Sequence, residues 1–215
     1  MKNKLKLLSM TCFLLPIITV IISYIFSIKL NLVAACIPNF EGCTSISRVG
    51  RYEPVKFFFK PMMYLYCLIL AYYWYVYLLK FKLLKIEIKF IFIICMLSVL
   101  FLSLYVTFLG ESEIYSFFKK VGIYIYILFI VLAQFLESRL LVKNKEKIKS
   151  LFFFKFLKIK YYLSSFLVMS GIILLPILII KIDNFPGIKN IISWNYFFLV
   201  QFYFYLVFLS INKIK

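Results

Sequence analysis

Histidine is absent from this 215-residue sequence, and acidic residues are scarce, with eight Asp and Glu against 26 Lys and Arg. Histidine is the commonest general base near neutral pH and the commonest metal ligand, so its absence excludes the usual chemistry of hydrolases and metalloenzymes. The five cysteines contain no Cys-x-x-Cys pair, which leaves a zinc site or a thioredoxin-like site without support. We therefore expect neither a metal nor a cofactor.

Apolar residues, in contrast, make up 65% of the chain, well above the ~45–50% that is typical of soluble domains. A net charge of +18 would suggest nucleic-acid binding in a soluble protein. Here the basic residues flank long apolar runs, where cations orient helices and meet anionic lipid headgroups. The composition predicts an integral membrane protein whose partners are membrane lipids, with no nucleic acid.

Six runs are long enough to cross a ~30 Å hydrocarbon core, which requires about 20 mostly apolar residues in a helix. They predict one all-α, six-helix transmembrane domain over residues 1–215, with spans at 7–28, 61–79, 90–109, 114–136, 161–180 and 191–211. The apolar cores of these spans contain no charged residue. Lys119 and Lys120 stand near the start of the fourth span, where they reach the headgroups.

The distribution of Lys and Arg predicts the orientation of the bundle. If the N-terminus is cytoplasmic, most of the cations fall in inner segments and every inner loop is strongly basic, as the positive-inside rule requires. An even number of spans then places the C-terminus in the cytoplasm as well. The result is a multi-pass protein of the plasma membrane or an endomembrane.

The first span has an alternative interpretation as a cleaved signal peptide, because Val33-Ala34-Ala35-Cys36 resembles a lipoprotein cleavage box. A signal peptide has an apolar region of only ~7–15 residues, whereas this run is longer and Lys29 separates it from the box. We expect an uncleaved first helix.

Two loops are longer than the rest. The first outer loop, residues 29–60, contains Cys36 and Cys43, which either form a disulfide in an oxidising compartment or remain free thiols. The inner stretch Arg139–Lys160 mixes cations with phenylalanines. It is either an ordinary topology signal, an amphipathic segment on the inner leaflet, or a site that recruits a protein partner.

The outer loop also contains the pattern Ile46-Ser47-x-x-Gly50-x-x-x-Pro54, followed by aromatic residues and Lys60. This pattern resembles the signature loop of the Frag/DRAM/Sfk family of six-span membrane proteins. The acidic loop between the third and fourth spans, with Glu111 and Glu113, is a weaker likeness. Thr44 departs from the usual leading proline, and Tyr66 stands near a position where some relatives have histidine. The resemblance implies lipid handling, lipid sensing or GPI-anchor remodelling, without catalysis by this chain.

The motif residues also have a physical interpretation of their own. Gly50 permits the positive φ of a tight turn, and Pro54 stops a helix, so together they fold the loop back over the bundle. Either the charged residues tie two outer loops together, or their cations form a cradle for a lipid headgroup. The residues concerned are Arg48, Arg51, Lys56, Lys60, Glu53, Glu111 and Glu113.

Two further classes of function stay open. A lipid-modifying enzyme without histidine would have to combine a carboxylate with an outer serine. The candidates are Glu53, Glu111, Glu113 and Asp183 with Ser45, Ser47 and Ser112. A transporter generally carries charges inside its membrane spans, and the predicted spans contain none.

Overall fold

The computed structural model describes residues 2–83, 88–148, 152–179 and 186–211, which are helical apart from loops and one isolated bridge. A 3-10 turn at Glu113–Tyr115 precedes the sixth helix. The α-helices of these ranges are α1 (Lys2–Lys29), α2 (Pro38–Glu41), α3 (Ile46–Val49), α4 (Val55–Leu83), α5 (Lys89–Phe108), α6 (Ser116–Lys143), α7 (Lys145–Ile148), α8 (Phe154–Ile179) and α9 (Pro186–Ser210).

Six of these helices, namely α1, α4, α5, α6, α8 and α9, are long and apolar enough to cross a membrane. Length and composition thus confirm the predicted six-helix architecture. Several helices extend beyond the predicted spans, because a hydropathy count stops at a charge whereas backbone hydrogen bonding continues past it. The second begins at Val55 rather than 61, the fourth ends at Lys143 rather than 136, and the fifth begins at Phe154 rather than 161.

The six long helices form a closed ring in the order α1, α4, α5, α6, α8, α9, with α9 packed against α1 again. Aromatic side chains fill the centre of this ring. Tyr73, Tyr77 and Phe204 are fully buried there, and the Tyr73 ring centroid lies 5.3 Å from each of the other two. Because each helix is apolar nearly all round, it buries one side in the ring and leaves the other for lipid.

Residues 30–54, called the cap here, cover one end of the ring. A disulfide joins Cys36 and Cys43 across α2. Gly42 ends α2 with a φ of +64°, and a Cβ at Gly42 would lie 2.1 Å from the carbonyl oxygen of Gly187, so only glycine allows this close approach to α9. The opposite end, called the terminal end, contains the start of α1 and the end of α9, where Lys6 lies over the Phe208 ring.

Side chains from α1 and α9 hold the cap through its backbone carbonyls. Asn190 Nδ2 donates to Gly42 O at 2.7 Å, and Trp194 Nε1 donates to Thr44 O at 2.9 Å. From α1, Ser27 Oγ donates to Val49 O at 2.9 Å. These bonds provide donors for backbone carbonyls that have no partner within a helix or sheet. They also hold the motif residues 46–54 in a defined position over the bundle.

Candidate functional site: a cationic cap and a buried charge network

The motif Ile46–Pro54 forms α3 and the turn into α4. Ser45 caps α3 by accepting a hydrogen bond from the Arg48 amide at 3.2 Å, and Ser47 Oγ lies 3.2 Å from Ser45 Oγ. Ile46 is half-buried, while Glu53 and Pro54 are exposed and joined by a cis peptide bond. Both serine hydroxyls therefore serve the local turn.

Gly50 corrects the expectation of a positive φ, because its φ is −91°. Glycine is needed at this position because a larger residue does not fit. A Cβ there would lie 2.6–2.8 Å from ring atoms of Phe59, which is fully buried. Glycine therefore allows the aromatic ring at the start of α4 to pack directly under the motif. The sequence pattern located the residue correctly but not the reason for it.

Lys60 and Glu111, which the sequence places in separate loops, are in contact. Lys60 Nζ lies 2.6 Å from Glu111 Oε1, and Lys56 Nζ lies 2.9 Å from the same oxygen. Lys60 also donates to Thr107 O at 2.8 Å. Hydrogen bonds from Lys60 and Lys56 lower the pKa of the Glu111 carboxyl from its ordinary 4.5 to about 2. This group joins α4 to the loop between α5 and α6.

Glu113 lies in the 3-10 turn beyond Glu111, but its side chain is outside the described residues. The backbone therefore places this predicted acidic residue near the cap end of the bundle without defining its contacts. Asp183, another predicted carboxylate, also falls outside the described ranges.

Arg48 and Arg51 make no ion pair with Glu111 among the contacts of the described residues. Arg48 is exposed and lines an open cavity of about 420 Å³ together with Asn31 and Thr44. Arg51 is half-buried, and its Nε is shielded from solvent without a hydrogen-bond partner among the described residues. Its charge acts on that of Lys119, in the first turn of α6. The cap end thus has cations beyond those that Glu111 neutralises.

A second charged site, which the sequence interpretation missed, lies inside the ring. Glu137 of α6 and Lys160 of α8 are fully buried, with Lys160 Nζ 2.8 Å from Glu137 Oε1. Tyr77 of α4 donates to the same carboxylate oxygen at 2.5 Å, and Tyr203 of α9 donates to the other oxygen, Oε2. Side chains from three other helices therefore meet at this one carboxylate of α6.

Residues of α7 and of the first turns of α8 pack beside this network at the terminal end. Ile148, Phe152 and Leu157 are buried rather than laid on a membrane surface, and the Phe152 ring meets Tyr77 edge-on with centroids 6.3 Å apart. The amide of Phe153 donates to Ser210 O at 2.7 Å. Only part of the predicted Arg139–Lys160 segment is thus available to lipid or to a partner, and Lys160 itself is not.

A spacing signal for the network was present in the sequence. Gln134, Glu137, Ser138 and Leu141 follow the i, i+3, i+4, i+7 pattern of one helix face, and all four are buried. A predicted span that ends at residue 136 places Glu137 in a loop together with Lys160, whereas α6 continues to Lys143. Helical periodicity applied to the polar residues would have identified Glu137 as buried. That Lys160 of α8 is its partner depends on how the helices pack.

The described residues contain no group of three His, Cys, Asp or Glu side chains that could hold a metal ion. Comparison of the chain with models of known families, with curated proteins and with solved structures finds no match.

Proposed function

We propose that this chain binds the phosphate of a lipid headgroup at its cap end and handles or senses lipid rather than transforming it chemically. The observation that carries this proposal is Arg51, whose buried Nε has no hydrogen-bond partner in the described ranges and whose charge acts electrostatically on Lys119. The Frag/DRAM/Sfk-like motif in which Arg51 stands points in the same direction, including GPI-lipid remodelling as a setting.

An anion is the ligand that this arrangement favours. Two cations that act on each other repel, and a negative group between them offsets this repulsion. A guanidinium matches a phosphate through paired N–H donors. Lys119 also stands in the first turn of the 28-residue helix α6, where the helix dipole attracts negative charge. Glu111 does not compete for this role, since Lys56 and Lys60 already engage it.

The same proposal assigns the cap to the non-cytoplasmic side. The Cys36–Cys43 disulfide suits an oxidising compartment, and the loops at the terminal end are basic. Both termini then lie in the cytoplasm. An impermeant reagent that labels Asn39→Cys on intact cells or sealed vesicles supports this orientation; labelling only after permeabilisation contradicts it.

The direct test is to purify the protein in mild detergent and count co-purifying phospholipids by native mass spectrometry. Arg51→Gln should lose bound anionic lipid, and Arg51→Lys should recover part of it, because the charge returns without the planar fork. Lys29→Gln is the matched control, an exposed cation at the same end of the bundle. Equal lipid occupancy in wild type and Arg51→Gln would refute the proposal.

A further inference from the structure

The Glu137–Lys160 pair is unusual for a membrane bundle. Both side chains are fully buried, and both lie in helices that are long and apolar enough to cross a membrane. Each lies six residues from its helix end, which corresponds to about 9 Å along the axis at 1.5 Å per residue. Ionisable residues in such positions are costly and commonly mark proton or ion pathways.

The hydrogen bonds at this pair have the direction that a proton relay requires. Lys160 Nζ donates to the Tyr77 hydroxyl at 3.2 Å, and that hydroxyl donates to Glu137 Oε1 at 2.5 Å. When a proton shifts, an N–H bond of Lys160 breaks as an O–H bond forms on Tyr77. The original O–H bond of Tyr77 breaks as one forms on Glu137. The products are a neutral amine and a neutral carboxylic acid, and no other reactant is needed.

The pair is surrounded by other groups that can exchange protons. Tyr203 donates to Glu137 Oε2 and lies 3.2 Å from Ser138 Oγ. The titratable side chains facing Glu137 from the helices packed around it are Tyr73 and Tyr77 of α4, Cys95 of α5, Lys160 of α8 and Tyr203 of α9.

A second polar group lies closer to the cap end of the same ring. Tyr66 of α4 donates to Gln201 Oε1 of α9 at 3.2 Å, and Tyr126 of α6 is buried in the same ring. Polar groups therefore continue from the buried pair towards the cap.

Among the described residues, buried polar atoms without a hydrogen-bond partner occur between these two groups. Tyr73 stands between Tyr66 and Tyr77 on α4, and its hydroxyl is buried without a partner in the described ranges. Gln134 stands between Tyr126 and Glu137 on α6, and its Oε1 is likewise buried and unpaired. Buried polar atoms of this kind usually bind water, and water in this interval would connect the two polar groups.

We propose that the Glu137–Lys160 pair is a proton-exchange site and that the polar seam between α4, α6 and α9 carries protons through the bundle. The polar seam consists of Tyr66, Tyr73 and Tyr77 of α4, Tyr126, Gln134 and Glu137 of α6, and Gln201 and Tyr203 of α9. This activity is independent of lipid binding at the cap, because it uses none of the cap cations.

The test is proton flux in proteoliposomes that contain a pH-sensitive dye, driven by a valinomycin-induced potassium diffusion potential. Wild-type protein should acidify or alkalinise the lumen faster than protein-free vesicles. Glu137→Gln should abolish the difference, and Tyr77→Phe should reduce it while keeping the aromatic packing. Glu146→Gln, an exposed carboxylate of α7, is the matched control and should retain wild-type flux.

Glu137→Gln leaves Lys160 unpaired in the ring and can fail to fold, so the double variant Glu137→Gln/Lys160→Met provides the second arm. It removes both charges, should fold, and should conduct no protons. Wild-type vesicles that show no more flux than empty ones would overturn the proposal, as would a double variant that conducts like wild type.

Discussion

The cap end and the ring interior each contain a lysine–glutamate contact of nearly the same length. Lys60 Nζ and Glu111 Oε1 are 2.6 Å apart with the Glu111 side chain 39% exposed, whereas Lys160 Nζ and Glu137 Oε1 are 2.8 Å apart with both side chains at 0%. Water and salt screen the first pair, and its contribution to stability is accordingly small. The second pair is desolvated, so it depends wholly on its protein partners.

The largest expected effect of a single substitution is at the interior pair. Glu137→Gln leaves the Lys160 ammonium buried without a counter-charge, and removing one partner of a buried pair costs about 3–5 kcal/mol. Thermal unfolding in detergent should show a large fall in Tm. Glu137→Gln/Lys160→Met should recover most of it; a double variant as unstable as the single one would contradict this view of the pair.

An intermediate effect is expected at Tyr77. Tyr77→Phe retains the ring that stacks on Tyr73 but removes one hydrogen bond to the buried carboxylate. Hydrogen bonds to charged groups contribute about 1.5–3 kcal/mol, so Tm should fall less than in Glu137→Gln. Tyr75→Phe, at an exposed position on the same helix, is the control and should unfold like wild type.

The smallest effect is expected at the cap pair, where salt should distinguish the two regions. Glu111→Gln should lower Tm slightly at low ionic strength, and the difference should vanish at about 1 M salt, where the Debye length is about 3 Å. Salt should leave the Glu137→Gln deficit unchanged. A Glu111→Gln deficit that persists in high salt would mean that the cap pair is not screened as its exposure indicates.

The contribution of the cap pair to stability should also depend on pH. The pKa of Glu111 is depressed from 4.5 to about 2, so its stabilising contribution is fully present above pH 4.5 and is lost as pH falls towards 2. Between these values wild type should lose this contribution, and Glu111→Gln, which has no carboxyl at this position, should lose less stability over the same pH range. Tm measured across this pH range gives the comparison.

Much of the architecture could be predicted from the pattern of residues. Long apolar runs, flanking lysines and alternating loops were enough to predict six spanning helices, and the motif at 46–54 located the cap. Glu137 and Lys160 were wrongly predicted to lie outside the spans, because hydropathy ends a span at a charge whereas the helix continues past it. The prediction also explained Gly50 by backbone conformation, whereas the contact with Phe59 depends on how α4 enters the bundle.

Hydropathy and charge are properties of each segment on its own. The sequence by itself therefore determined six helices long and apolar enough to cross a membrane, with basic loops at the terminal end. Which residues share a site depends on how helices distant in the chain pack against one another. Lys60 meets Glu111 across 51 residues, and Tyr77 meets Lys160 across 83, only because the ring closes. Local pattern contains no information on that closure, so the tertiary structure alone decided the contact distances at the cap and the buried charge network.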